Sequence, residues 1–413
     1  MNRRVMAVTA AAVMSMSGFA VPAMADEEEA VSIQISASIM SMDPLIGGDS
    51  TNVAVISNTM EGLFVVDADG QIQNGLCDSY EVSDDQKTYT FHIRDNAKWS
   101  DGTPVTAQDF EYAWKRNATA QGDYSKFTYQ IEMAAIKNYE AVTSGEADAD
   151  ELGVTAVDDN TLQVELEYPV PFFLNLLTFS PWAPVKESKL TEEGDQFGVD
   201  KDSVLYCGAY TLDQWDVGGN TIVLKKNPDY WDADRVQLPG IKYQVVGSSD
   251  NALTAFKTGA LDVVTISGNQ VASASKDASL AKSLAVTGAG YMWYLSFSQT
   301  ENNAQGGMLA NVNLRLAISN SIDREALVEG YVMDGSLATY TAVPPQFAAS
   351  ATTGADFSAD QDAFADICGY NPEKAVEYFN AAVEELETDT FTFTMIYGNN
   401  EGDSVSKVAQ ATR

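Results

Sequence analysis

Mixed β-sheets flanked by helices are the architecture expected of this 413-residue chain. Residues 241–266 set out a β-α-β unit, in which two apolar runs, 241–246 and 261–266, enclose a helical period over 250–258. Strict alternation recurs elsewhere: residues 89–93, 161–166, 206–215 and 221–225 each read as strands with one buried face. Amphipathic helical periods then dominate residues 312–319, 324–331 and 372–386. No repeat or low-complexity tract interrupts the pattern.

The first 25 residues carry Arg3 and Arg4, an apolar stretch from Val5, and Ala23-Met24-Ala25 as a small-x-small cleavage site, which together predict a secretory leader. A membrane span is the poorer reading, because Ser15, Ser17, Gly18 and Pro22 interrupt the run short of the roughly 20 apolar residues a span needs. Cys77 is the first cysteine, so the leader has no lipid-attachment cysteine at its cleavage site. Export to the periplasm or cell surface follows.

After the leader, VSIQIS over 31–36 alternates like a strand and Asp43-Pro44 ends the run that follows it. Residues 50–63 have helical spacing, 63–66 form a short strand, and Asp67-Ala68-Asp69-Gly70 makes a tight turn. A calcium loop would need further acidic ligands and a glutamate at its twelfth position, and these do not follow. The order of signals is most particular over residues 89–116, TYTFHIRDNAKWSDGTPVTAQDFEYAWKR. Tyr89, Phe91 and Ile93 alternate, Gly102 and Pro104 make a turn, Thr106 takes the helix N-cap position three residues before Asp109, and Phe110, Ala113 and Trp114 share one helical face. That helix, 106–118, leads through 124–129 to a second helix ending near 143. Strands 153–157 and 161–166 flank Asp158-Asp159-Asn160 as a hairpin. The aromatic runs YMWYLSFS, 291–298, and FTFTMIY, 391–397, read as two more strands.

The chain holds 24 basic and 59 acidic residues, for a net charge of −35, and losing the leader removes two arginines and no acid. So acidic a surface is a poor partner for nucleic acid or anionic membrane. It favours a soluble, non-sticky exported protein and names no ligand. Cys77, Cys207 and Cys368 have no metal or redox spacing. Three cysteines leave at least one unpaired, and the sequence does not choose between a Cys207–Cys368 bond, a Cys77–Cys207 bond and none.

An enzyme would need a nucleophile with its base, or a metal set. His92, the one histidine, shares a strand face with Thr90 and Arg94, which suits an exposed structural role. No GxSxG, HExxH, P-loop or GxGxxG stands between a strand and a helix. With 59 acids, carboxylate pairs arise by chance. A binding protein is the better expectation, with no catalytic residue, metal or cofactor.

The run through WSDGTPVTAQDF resembles the signature of the extracellular solute-binding proteins, family 5, that serve ABC importers of oligopeptides and dipeptides. Further motifs stand in that family's order, SMDPLIGGDSTN and NTMEGLFVVDADGQIQNGLCDSYEVSDD upstream, and GVTAVDDNTLQVELEYPVPFFLNLL, LYCGAYTLDQW, KNPDYW, GALDVV and NVNLRLAISNSIDREALVEG downstream. The resemblance covers essentially everything after the leader. It implies a periplasmic-binding-protein-like fold of two lobes built from three discontinuous domains. On this chain the first domain would take residues 26–58 and 186–288, the second 59–185, and the third 289–413. Family members continue beyond the equivalent of Arg413, so the third domain is expected to be incomplete here.

The resemblance also implies a site. It places the segment after Asp43-Pro44, namely Ile46, Gly47, Gly48 and Asp49, beside the backbone of an extended ligand; glycines there would admit a close backbone, although a plain surface turn uses the same residues. Tyr124, Phe127 and Tyr129 match a region from which an aromatic reaches the ligand, and Trp293 and Tyr294 stand near the hinge into the third domain. Trp99, Trp114, Trp215 and Trp231 belong to packing. The function implied is that of a monomeric importer component that closes on a peptide and presents it to a membrane permease and ATPase complex. The alternatives are a secreted receptor or attachment protein of the same fold, and an importer component for nickel or a sugar-derived ligand.

Overall fold

The computed structural model describes residues 5–8, 30–47, 50–286, 292–300, 307–345, 347–348, 350, 352–359, 361–397 and 403–412. They belong to two compact units, one of Val13–Gly247 with Gly259–Val263, the other of Met1–Ala12, Ser248–Thr258 and Val264–Arg413.

The first unit is built on two sheets. In one, Val31–Ile35 runs parallel to Gly240–Val245, which pairs antiparallel with Thr221–Lys226, and that strand pairs antiparallel with Tyr210–Trp215. Val263 adds a parallel partner for Ile33 on the other side of Val31–Ile35. The other sheet is antiparallel throughout, in the order Cys77–Val82, Thr88–Ile93, Thr161–Glu165, Val154–Ala156. Thr88–Ile93 buries Tyr89, Phe91 and Ile93 and leaves His92 half-buried among the alternate residues, as the period requires. Phe64–Val66 and Ile72–Asn74 form a hairpin, whose turn is closed by the Asp67 carboxylate accepting from the backbone of Asp69 and Gln71. That carboxylate is spent on the turn.

Around these sheets lies one apolar core in which Trp99, Trp114, Trp182, Phe91, Phe110 and Phe173 are fully buried. The helix Ala107–Ala118 crosses it. Thr106 precedes the helix in extended conformation, and the Asp109 carboxylate accepts from the Thr106 backbone at 2.9 Å and from Trp99 Nε1 at 3.0 Å. One carboxylate thus caps the helix and anchors the turn before it, where Gly102 takes φ +82°. Desolvation raises the Asp109 pKa against the lowering effect of those donors.

In the second unit, the helices Val312–Ser321 and Pro372–Leu386 pack around Leu309, Leu314 and Ala382. Each begins at an asparagine whose side chain accepts a backbone N–H: Asn311 from Leu314, and Asn371 from Lys374. Val5–Val8, inside the leader-like segment, pairs in parallel with Leu284–Val286.

The structure corrects three expectations. Residues 391–397 are not a strand; Phe391 packs edge-on against Phe379 and stacks on Phe393 instead. Residues 292–298 are not a strand either, and Trp293, Tyr294 and Leu295 are exposed. Alternation supplies two faces, but a strand also needs a hydrogen-bonded neighbour, and none is found for either run among the described residues. The helix expected up to residue 143 is broken into Tyr129–Met133 and Tyr139–Ser144, because Ala135 and Asn138 take positive φ and Ile136 bridges to Leu166. Where the sequence left the cysteine pairing open, Cys77, Cys207 and Cys368 are all free thiols.

Candidate functional site

Asp43 organises the segment that was expected to meet a ligand. Its side chain is buried, and the Arg116 guanidinium, from the last turn of Ala107–Ala118, grips both carboxylate oxygens, one of them at 2.9 Å. The same carboxylate accepts from Leu45 N at 3.0 Å, and the Asp43 carbonyl accepts from Ile46 N and Gly47 N at 3.1 and 3.3 Å. The turn is therefore wound on Asp43 and bolted to the helix through Arg116. Arg116 also faces the rings of Tyr124, at 5.4 Å, and Phe197, at 5.8 Å. Lys126, exposed on the turn Gly122–Phe127, donates from Nζ to the Ile46 carbonyl at 3.3 Å.

Ile46, Gly47 and Tyr124 thus gather around one buried ion pair. Gly47 itself is buried, and a Cβ on it would fall 2.4 Å from Asn52 Nδ2 and 2.7 Å from Asn52 Cγ. The Asn52 amide, which donates to the Ser41 carbonyl, occupies the space. Packing against Asn52 explains this glycine without any ligand. Gly48 and Asp49 lie outside the described residues. Phe127 is half-buried in the same turn, whereas Tyr129 lies apart, with Tyr168 and Phe172, along a separate groove. Trp293 and Tyr294 belong to the second unit, both exposed.

A second cluster in the first unit was not foreseen. Glu61 is buried; Trp231 Nε1 donates to its Oε1 at 2.6 Å and the Tyr230 hydroxyl to its Oε2 at 2.5 Å. The Arg94 guanidinium lies over the Trp231 ring at 3.9 Å, and Cys207 Sγ accepts from Glu61 N at 3.4 Å. Burial pushes the Glu61 carboxyl up to about 7, against the opposing pull of Tyr230, Trp231 and Arg94. Trp99, Trp114 and Trp215 are buried packing residues as expected, but Trp231 also positions a carboxyl. No spacing rule pairs residues 61 and 231, or 43 and 116; the one visible hint was an acid inside each apolar neighbourhood.

Backbone groups, aromatic faces and held charges are what this site offers. No group of three or more His, Cys, Asp or Glu side chains that could hold a metal ion occurs among the described residues. No described helix is long and apolar enough to cross a membrane.

Comparison with known proteins relates the chain to a described family. The family model described as bacterial extracellular solute-binding proteins, family 5 Middle, matches residues 71–413. The oligopeptide-binding protein OppA of Bacillus subtilis is 33% identical over 393 residues, which cover 93% of this chain and 68% of that protein. The probable deoxycholate-binding periplasmic protein YgiS of Escherichia coli is 32% identical over 313 residues, covering 76% of this chain and 56% of that protein. Among solved structures, peptide-bound OppA of Listeria monocytogenes superposes with a TM-score of 0.78 at 28% identity, covering 94% of this chain and 74% of that one.

Proposed function

From the finding that this chain belongs to the bacterial extracellular solute-binding proteins, family 5, we propose that it is the exported substrate-binding component of an ABC importer and that it captures extended peptides. The likeness to OppA of Bacillus subtilis over 93% of the chain carries this reading. The Asp43 turn supports it, since a segment wound on a buried ion pair can present backbone groups to an extended ligand at little entropic cost. Tyr124 beside Arg116 supplies a rigid aromatic face at the same place.

In this proposal Ile46, Gly47, Gly48, Asp49, Tyr124, Phe127, Trp293 and Tyr294 contribute to capture, with Lys126 added to them, and Tyr129 is set aside. Residues 26–58 and 186–288 make one domain, 59–185 a second and those from 289 a third. Two lobes close on the ligand and a permease and ATPase complex receives it. The protein works as a monomer without catalysis.

One observation favours a second reading. The YgiS relative, named for deoxycholate, is almost as similar as OppA, so an amphipathic steroid acid is the competing ligand. Thermal unfolding of the protein across a library of two- to eight-residue peptides, with deoxycholate in parallel, separates the two. A Tm that rises with peptide concentration and not with deoxycholate supports the peptide; the reverse pattern transfers the site to the steroid acid. A Tm moved by neither removes both.

A further inference from the structure

We propose that the groove between residues 129–133 and 168–172 is a docking surface for an extended, apolar segment of a partner polypeptide that carries arginine or lysine. It is distinct from the Asp43 turn and requires no particular ligand there. Its volume, about 570 Å³, lies within the range of about 300–1,000 Å³ common to ligand-sized sites. Tyr129 and Met133, one helical turn apart, form one wall; Tyr168, Pro169, Pro171 and Phe172 form the other. Four of these side chains are held out in water, Tyr129 at 53%, Met133 at 45%, Tyr168 at 53% and Phe172 at 46% exposure. Isolated exposed apolar groups are ordinary, but a contiguous set lining a concave surface is what interaction sites show.

The walls are built before any partner arrives. Glu167 N donates to the Ala135 carbonyl at 2.7 Å, Asn138 N to Glu167 Oε1 at 2.7 Å, and Ile136 bridges to Leu166, so the two walls are stitched together at one end. Pro169 and Pro171 fix their own φ. An aromatic and proline-lined trough of this kind suits an extended chain, which lays alternate side chains against the rings.

Charge selects among such chains. Glu132 is the only charged side chain lining the groove, and it has no ion partner among the described residues. The neighbouring cations are committed: Lys137 pairs with Glu165 at 2.6 Å, and Lys87 donates to the Glu167 carbonyl at 2.9 Å. The cation that complements Glu132 and the tyrosine faces must come from outside.

The test is fluorescence anisotropy with a labelled, end-blocked dodecapeptide of repeating Pro-Leu-Pro-Arg, whose blocked termini disfavour capture by peptide ends. Binding is expected to weaken about tenfold or more in Tyr168→Ala and in Glu132→Gln, to weaken with added salt, and to weaken when the probe's arginines become glutamines. Lys126→Met, at the Asp43 turn, should leave it unchanged. Both groove residues project into solvent, and a circular-dichroism melt verifies that each variant is folded. The proposal is overturned by absence of binding, by binding that survives both groove substitutions, by a glutamine probe that binds equally well, or by loss of binding in Lys126→Met.

Discussion

Two buried carboxylates, Asp43 and Glu61, are answered differently, and their substitutions should behave differently. Asp43 is matched by a guanidinium, so Arg116→Met leaves a buried charge alone; breaking such a pair costs about 3–5 kcal/mol. Urea unfolding of this variant should show a loss of that order, and a loss under about 1 kcal/mol would mean that the pair is not holding the turn. Glu61 is matched by two neutral donors, and its pKa rises from the ordinary 4.5 to about 7. Between those values the folded chain holds a proton that the unfolded chain has released. Stability from this group is therefore greatest below about pH 4.5, declines as pH rises through 7, and is level above that. The full swing is on the order of 3 kcal/mol. Glu61→Gln should remove it, because the amide oxygen can accept from Trp231 while the Tyr230 hydroxyl turns to accept from the amide. Unfolding free energies of both proteins at pH 5, 6, 7 and 8 check this, and parallel curves would sink it. Neither environment was legible in the sequence, since burial and partners 73 and 170 positions away are products of folding.

Among the elements, those defined by local signals were read well. Pro372–Leu386 begins at a proline after an asparagine cap, and Ala107–Ala118 begins after Thr106 with Asp109 at its third position. Asp109 carries more than a cap, because Trp99 Nε1 depends on it. Asp109→Ala should therefore cost the cap, about 1 kcal/mol, and also the burial of an unpaired indole N–H, about 1–3 kcal/mol. Asp109→Asn, which keeps an acceptor, should cost visibly less, and equal losses in thermal melts would show that the Trp99 bond contributes nothing. The elements misread were those decided at a distance. Residues 391–397 alternate as well as 89–93 do, but among the described residues only the latter find neighbours, Cys77–Val82 and Thr161–Glu165. The break after Met133 depends on Ile136 meeting Leu166, which no helical period reveals.

For the molecule as a whole, family and architecture were legible because seven further motifs flank the signature in one order, while the candidate site was legible only as a neighbourhood. Gly47 has a packing reason, Tyr129 lines a separate groove, and Arg116 and Lys126 were not among the residues the sequence singled out. A net charge of −35 acts at this scale too. Self-repulsion should make the folded protein less stable in dilute buffer, so Tm should rise between about 10 and 300 mM NaCl as the screening length shortens from about 30 Å to below 10 Å. A Tm that falls over this range would show that attractive ion pairs dominate instead. The buried Glu61 carboxyl also has a calorimetric signature. Near pH 6 unfolding must shed about one proton into the medium, so the measured heat includes the ionisation heat of the buffer that accepts it. The same protein should then give different apparent unfolding enthalpies in phosphate and in histidine buffer, and one enthalpy in both once Glu61 is glutamine.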